Sequence, residues 1–280
     1  MTSLYGRRMF VNRFNLVMSM GTMVFGMVFL FWILATLFIR GFEALSPTLF
    51  TQMTPPPGQS GGLANAIFGS FVIVFVATFI STPIGILAGI YLAEFGKNGW
   101  IARSTRFIND ILLSAPSIVI GLFIYTVFVA KFEHFSGWAG SFALALIAIP
   151  VVVRTTENML RLVPSSLREA SLALGIPQWK TSLRIVLRTA LGGIVTAVLL
   201  AVARAAGETA PLLFTSLNNQ YWNLQPDQPT SSLTVQIFNY AISPYEDWHA
   251  KAWSAALVLL VLVGGLNVLA RVATANRAAR

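Results

Sequence analysis

The sequence predicts an all-α, polytopic membrane protein with six transmembrane helices, and three observations carry that prediction. Of its 280 residues, 56% are hydrophobic and only 10% are charged, whereas a soluble domain carries about 25% charged residues. Long uncharged runs recur along the chain, each able to supply the roughly 20 apolar residues that cross a hydrocarbon core of about 30 Å. The basic residues also sort between the two sides that six alternating spans would define.

The first span, 16–39, lies in the uncharged run from Phe14 to Ile39. It is too long for a cleavable signal peptide and lacks a small-residue cleavage site, so it is expected to stay as a helix. The second, 64–93, carries Ser81-Thr82-Pro83 and the Gly85/Gly89 pair, a spacing of small residues that lets a neighbouring helix approach closely. The third and fourth, 109–130 and 136–153, contain Pro116 and Pro150, whose missing N–H and ring clash favour kinks. The fifth, 190–217, is interrupted by Arg204 and Glu208 and holds Pro211; the sixth, 252–271, completes the set.

With these spans every Lys and Arg falls on one side, except Arg40, Lys131 and Lys251 on the other and Arg204 within the membrane. Adding or losing a span would scramble that sorting. The positive-inside rule then places both termini in the cytoplasm. The net charge of +9 therefore reflects topology, and no nucleic-acid partner is expected. Absence of cysteine removes disulfides and thiolate metal sites. His134 and His249 fall in outward segments without a second ligand at i+4, so no metal site is expected. Trp138, Trp222, Trp248 and Trp253 sit near the outer ends of spans, where indole favours the headgroup region. Two outward segments read as non-helical: 46–62, with Pro55-Pro56-Pro57-Gly58, and 218–251, whose 233–242 stretch is able to pack back on the bundle. Both suit docking of an external partner as well as plain connection.

Two features are left to carry function. Arg204 and Glu208 stand four residues apart in an apolar run, where one charge at the bilayer centre costs about 2.5–3.5 kcal/mol. They read either as an ion pair that locks a helix or as a gate or site for an anionic solute. The inward loop 154–189 contains Ser166-Leu-Arg-Glu169, which fits a capping box at a helix start. Gly175 then suits the helix end, and Pro177 the opening of a second helix. That second helix gathers Trp179, Leu183, Val186 and Leu187 on one face. Read alone, the loop is an interfacial helix pair.

Glu169-Ala170-Ser171, followed by Gly175 and Ile185-Val186-Leu187, resembles the EAA loop of ABC-importer permeases. Ser171 replaces the second alanine of the usual pattern, and Arg188 stands where proline often follows. The resemblance narrows with Arg106 to Ser117, Arg154 to Leu160, Met53 to Pro57 and Ala203-Arg-Ala-Ala-Gly-Glu-Thr-Ala-Pro-Leu-Leu-Phe-Thr215, and nearly the whole chain is similar to the PstA family of phosphate-importer permeases. That resemblance implies a type I importer permease fold of the MetI-like kind in the bacterial inner membrane. It implies a second permease, PstC, a PstB ATPase dimer that binds ATP and Mg, and the periplasmic phosphate-binding protein PstS, with a PhoU- or PhoR-type signalling regulator as a further partner.

On that resemblance Glu169, Ala170, Ser171 and Gly175 belong to the helix that couples to the ATPase. Arg204, Glu208, Thr209 and Thr215 line the phosphate pathway, with Arg204 as the cation that meets the solute and Glu208 as its counterion at rest. The alternatives in view are a permease for another oxyanion, such as phosphonate, sulfate or molybdate, and a membrane sensor or scaffold reporting phosphate status. The chain has no Gly-x-x-x-x-Gly-Lys-Ser/Thr loop, so ATP hydrolysis is expected from a partner and no cofactor is expected here. No nucleophile–base constellation appears within the spans, which argues against a membrane enzyme.

Overall fold

Among the described residues of the computed structural model, 2–96, 99–223 and 225–278, every regular element is helical. Of the basic residues in the charge sorting, Lys97 and Arg280, and the side chains of Arg271 and Arg277, lie outside that description. Helix α1 (Thr2–Glu43) leads through a single turn, α2 (Thr48–Thr51), to α3 (Ala64–Phe95). Next come α4 (Trp100–Ser114), α5 (Ser117–Phe132) and α6 (Gly137–Arg161). The loop helix α7 (Ser165–Ala173) precedes α8 (Gln178–Ala206), a short α9 (Ala210–Leu213), α10 (Leu233–Ala241) and α11 (Glu246–Ala278). Five of these helices are long and apolar enough to cross a bilayer, and the bent pair α4/α5 makes six when counted as one span.

Helix α6 is the centre of the fold, with 72% of its apolar window buried inside the chain against 0% for α1. Its partner is α3, and glycine sets the separation. A Cβ at Gly85 would lie 2.6 Å from Val152 Cβ, and one at Gly89 2.6 Å from Thr156 Cβ, so only a bare backbone fits this seam. Pro83 and Pro150 lie inside continuous helices.

Two expected spans are broken. At Ser114–Ser117 the chain turns by 106°, because the residue before proline is pushed out of the α region and Ala115 adopts φ −66°, ψ 134°. The fifth stretch stops as a helix at Ala206, well short of residue 217, with Gly207 at its C-terminus. Pro211 has no N–H and its ring would clash with the Gly207 carbonyl; it sits instead in the first turn of α9.

The two segments expected to face outward are more ordered than the sequence suggested. The 46–62 segment includes α2, and the 218–251 segment folds back through α10, whose Leu233, Val235 and Tyr240 are buried. Ser232 caps α10 by accepting from the Val235 N–H. His249 and Lys251 stand on the first turns of α11. Trp248 is half-buried with its ring 4.8 Å from Tyr240, a packing residue and not an interfacial anchor.

Candidate functional site

The break after α8 holds Arg204, Glu208 and Thr209 together. Arg204 is in the last turn of α8, where a cation interacts favourably with the helix dipole. Glu208 lies past the helix end, and its backbone carbonyl accepts a 2.9 Å hydrogen bond from Thr234 on α10. The break is also braced from α5: a Cβ at Gly121 would fall 2.6 Å from Pro211 Cα. The two charges approach to 3.7 Å, with side chains 45% and 17% exposed in this chain. That separation is longer than the 2.7–3.2 Å of an N–H···O hydrogen bond. Among the described residues Arg204 makes no side-chain hydrogen bond, so its five N–H donors are open to another group. Thr209 precedes α9 without capping it through its side chain. Thr215 is wholly buried and donates to the Pro211 carbonyl at 2.7 Å, so its hydroxyl serves the fold and presents no donor to a pathway in this state.

Of the other ion pairs among the described residues, Arg154–Asp110 is equally long at 3.7 Å, and the rest are tighter. At the far end of α3, Arg168 Nη2 reaches buried Glu94 at 2.6 Å, and Arg106 Nε reaches Glu157 at 2.8 Å. Arg161 shares the same Glu157 oxygen. Sequence reasoning passed over these groups because they sit where an apolar run meets a basic loop, where charge is ordinary. The available signal was the scarcity of acid: the arginine-rich side carries Glu94, Asp110, Glu157 and Glu169. Three of the four pair with arginine. Glu169 is exposed and forms no ion pair among the described residues.

Around Glu169 the loop is built for display. Pro164, not Ser166, occupies the N-cap of α7, and no side chain caps it; the expected capping box does not form, because Ser166 already lies within the first turn. Gly175 has φ +75°, the left-handed conformation that ends a helix at little cost only for glycine. Pro177 precedes α8. Ser171 is buried, its hydroxyl 2.7 Å from Thr181, so the serine that replaces alanine ties α7 to α8. The opposite face leaves Leu172 and Leu174 50% and 80% exposed, beside exposed Glu169 and Ala170.

Residues 85–276 match the binding-protein-dependent transport system inner membrane component family. The chain belongs to that family. Within it, the chain is 57% identical to the phosphate transport system permease protein PstA of Yersinia pestis, over 95% of this chain and 90% of the relative. It is 55% identical to the protein of that name from Haemophilus influenzae, over 93% and 92%. The fold is that of ABC permeases: an inward-facing structure of the MetNI methionine ABC transporter superposes with TM-score 0.64 at 20% identity, covering 75% of this chain and 94% of that one. An amino acid ABC transporter structure gives 0.59 at 16% identity, covering 75% and 92%. Family and fold together make this a multi-pass inner-membrane protein and a non-enzymatic transporter component. Among the described residues no cluster of three or more His, Asp or Glu side chains is placed to hold a metal.

Proposed function

We propose that this chain is one permease half of an ABC importer that moves inorganic phosphate into the cell. The observation that carries the reading is the relationship to phosphate transport system permeases along nearly the entire chain, joined by the intramembrane Arg204, whose side chain makes no hydrogen bond among the described residues. Phosphate is anionic at neutral pH, and guanidinium matches its oxygens in a bidentate fork. Arg204 meets the solute as the path opens, and Glu208 holds the cation loosely between cycles. Thr209 adds a neutral donor at the same break.

The partners follow from the same reading. A second permease, PstC, completes the path; a PstB dimer binds ATP and Mg; PstS delivers phosphate at the outer face. Both termini and the basic side face the cytoplasm. There the exposed face of α7, with Glu169, Ala170 and Leu174, docks into a cleft of the ATPase, and Gly175 sets its end. Ser171 holds the helix from behind. ATP-driven closure of the ATPase pair then pulls on α7.

The test is reconstitution: the four-component complex in liposomes, with labelled phosphate and ATP. ATP-dependent uptake that requires loaded binding protein and resists excess sulfate, molybdate or phosphonate is the expected result. Uptake of one of those anions in preference to phosphate would move the chain to a different oxyanion.

A further inference from the structure

Force applied at α7 must reach the membrane helices through whatever ties α7 to them. One guanidinium makes most of those ties. Arg168 donates from Nε and Nη2 to the Glu94 carboxylate, with the Nη2 contact 2.6 Å. It also donates from Nη1 to the Val163 carbonyl at 2.6 Å and from Nη2 to the Leu160 carbonyl at 2.8 Å, just beyond and within the last turn of α6. Glu94, at the end of α3, accepts from Ser182 Oγ at 3.1 Å, and its backbone carbonyl accepts from Gln178 at 3.0 Å; both donors are in the first turns of α8. The side chain of Glu94 is 4% exposed. A buried charge-assisted network satisfied on every side resists deformation more than the surrounding apolar contacts do.

Two further features converge on the same point. The helical turns that carry the contact, Tyr91–Phe95 in α3 and Thr181–Val186 in α8, are both π-helical. Such turns are local departures from α geometry that recur at functional sites. From Glu94 the glycine seam at Gly85 and Gly89 locks α3 to α6 with almost no slack.

We propose that the Glu94–Arg168 pair is the mechanical joint that makes α7 one rigid body with the inner ends of α3, α6 and α8, so that ATPase motion drives all three together. This rests on α7 being the ATPase-docking helix. Arg168 and Glu94 touch neither solute nor nucleotide; they are positioning residues. Their removal separates hydrolysis from transport.

The experiment uses the assembled complex in liposomes and reads phosphate imported per ATP hydrolysed. In Arg168→Ala the ATPase co-purifies and hydrolyses ATP, while the ratio falls by about fivefold or more, the lower end of ordinary coupling effects. Arg168→Lys, with the charge but not the fork, recovers part of it. Glu94→Gln keeps the shape and the Ser182 contact, and carries the test if Arg168→Ala does not assemble; its ratio falls in the same direction. A role confined to stability would lower the amount of complex and leave the ratio at the native value, and that result in Arg168→Ala, or in Glu94→Gln in its place, overturns the joint.

Because the chain has no cysteine, spin labels at Ser165 on α7 and at exposed Leu87 on α3, with cysteine-free partners, give an independent readout. Their separation stays constant through the ATP cycle in the native chain and broadens in the joint variant that assembles. A native separation that shifts by several ångströms refutes the rigid body. Failure of the docking assignment itself looks different: native complex that imports phosphate normally when the exposed face of α7 is altered.

Discussion

At the scale of single residues, one contrast separates Arg204 from the arginines that pair with buried carboxylates; the exposed Arg154–Asp110 pair is as loose, at 3.7 Å. Arg106 and Arg168 are held to buried carboxylates at 2.8 and 2.6 Å; Arg204 stands 3.7 Å from Glu208 without a hydrogen bond. A pair whose task was to lock a helix would be expected to close that gap. The distinction is measurable, because a lock is restored when both charges are removed and a solute contact is not. Arg204→Gln with Glu208→Gln should assemble and bind its ATPase yet lose at least about tenfold in phosphate uptake, the scale of one lost charged contact of about 1.4 kcal/mol or more. Exchange of the two residues, which keeps net charge and moves the cation, should fail in the same way. Native uptake by either double variant at matched expression would leave the pair as a structural lock.

The sequence made this pair visible because two charges in an apolar run have no ordinary explanation. It could not show that the Thr215 hydroxyl donates to the carbonyl four residues back, because composition cannot distinguish such a hydroxyl from one facing a pathway. Glu94 and Arg168 were hidden for the opposite reason: they lie 74 residues apart at the edges of charged loops, and only tertiary structure pairs them.

At the scale of elements, the coupling loop was legible where local backbone chemistry decides and illegible where it does not. Gly175 and Pro177 mark the end of one helix and the start of the next, since φ > 0 and a missing N–H are properties of single residues. The capping box failed because Pro164 already sets the start of α7, two residues earlier than the motif requires. Gly175→Val should strain the left-handed turn by about 1–2 kcal/mol, and Glu169→Lys should reverse the charge that α7 displays. Both variants are expected to insert normally but to retain less ATPase on co-purification; unchanged association and uptake in both would remove α7 as the docking element.

Prolines show the same limit. Pro83 and Pro116 read alike in sequence, yet α3 runs through the first and the chain turns 106° at the second. The difference comes from what each helix packs on: α3 is held along α6 by its glycine seam, while the bend lets α5 reach α9. There Gly121 faces Pro211 backbone at 2.6 Å from a would-be Cβ, and backbone gives way less easily than the end of a side chain. Gly121→Leu should therefore force α5 and α9 apart and abolish uptake. Since α9 directly follows the Glu208 break, the accessibility of a cysteine at position 204 to aqueous reagents should change with it; an unaltered labelling rate and normal uptake would show that the bend does not support the site.

At the scale of the whole molecule, the uneven burial of the helices describes a subunit, not a closed bundle. Helix α6 is enclosed, whereas the apolar window of α1 has no burial within the chain, leaving its surface to lipid and neighbouring subunits. The number of apolar segments was legible in the sequence but not which are broken, because hydropathy records composition and a break is a matter of backbone geometry. The sequence also left the two outer segments as separate loops.

In the folded chain those segments are one surface. Asn65, just beyond the first, donates to the Asn219 carbonyl at 2.8 Å, and Lys251 Nζ donates to the Gln59 carbonyl at 3.0 Å. Trp222 lies against Phe68 with ring centroids 5.3 Å apart, and its backbone N–H donates to Met53 Sδ at 3.3 Å. A partner that lands there must cover both segments at once, so their protection should be concerted. When phosphate-loaded binding protein is added to the assembled complex, proteolysis within 46–62 and within 218–251 should slow together, and the slowing should depend on phosphate loading. Disrupting one bridge by Asn65→Ala should loosen both segments in the free complex and weaken the protection of each. Cleavage that slows in one segment alone would divide the surface. Equal cleavage with and without loaded binding protein, in complex shown to be intact, would place delivery of the solute on the second permease instead.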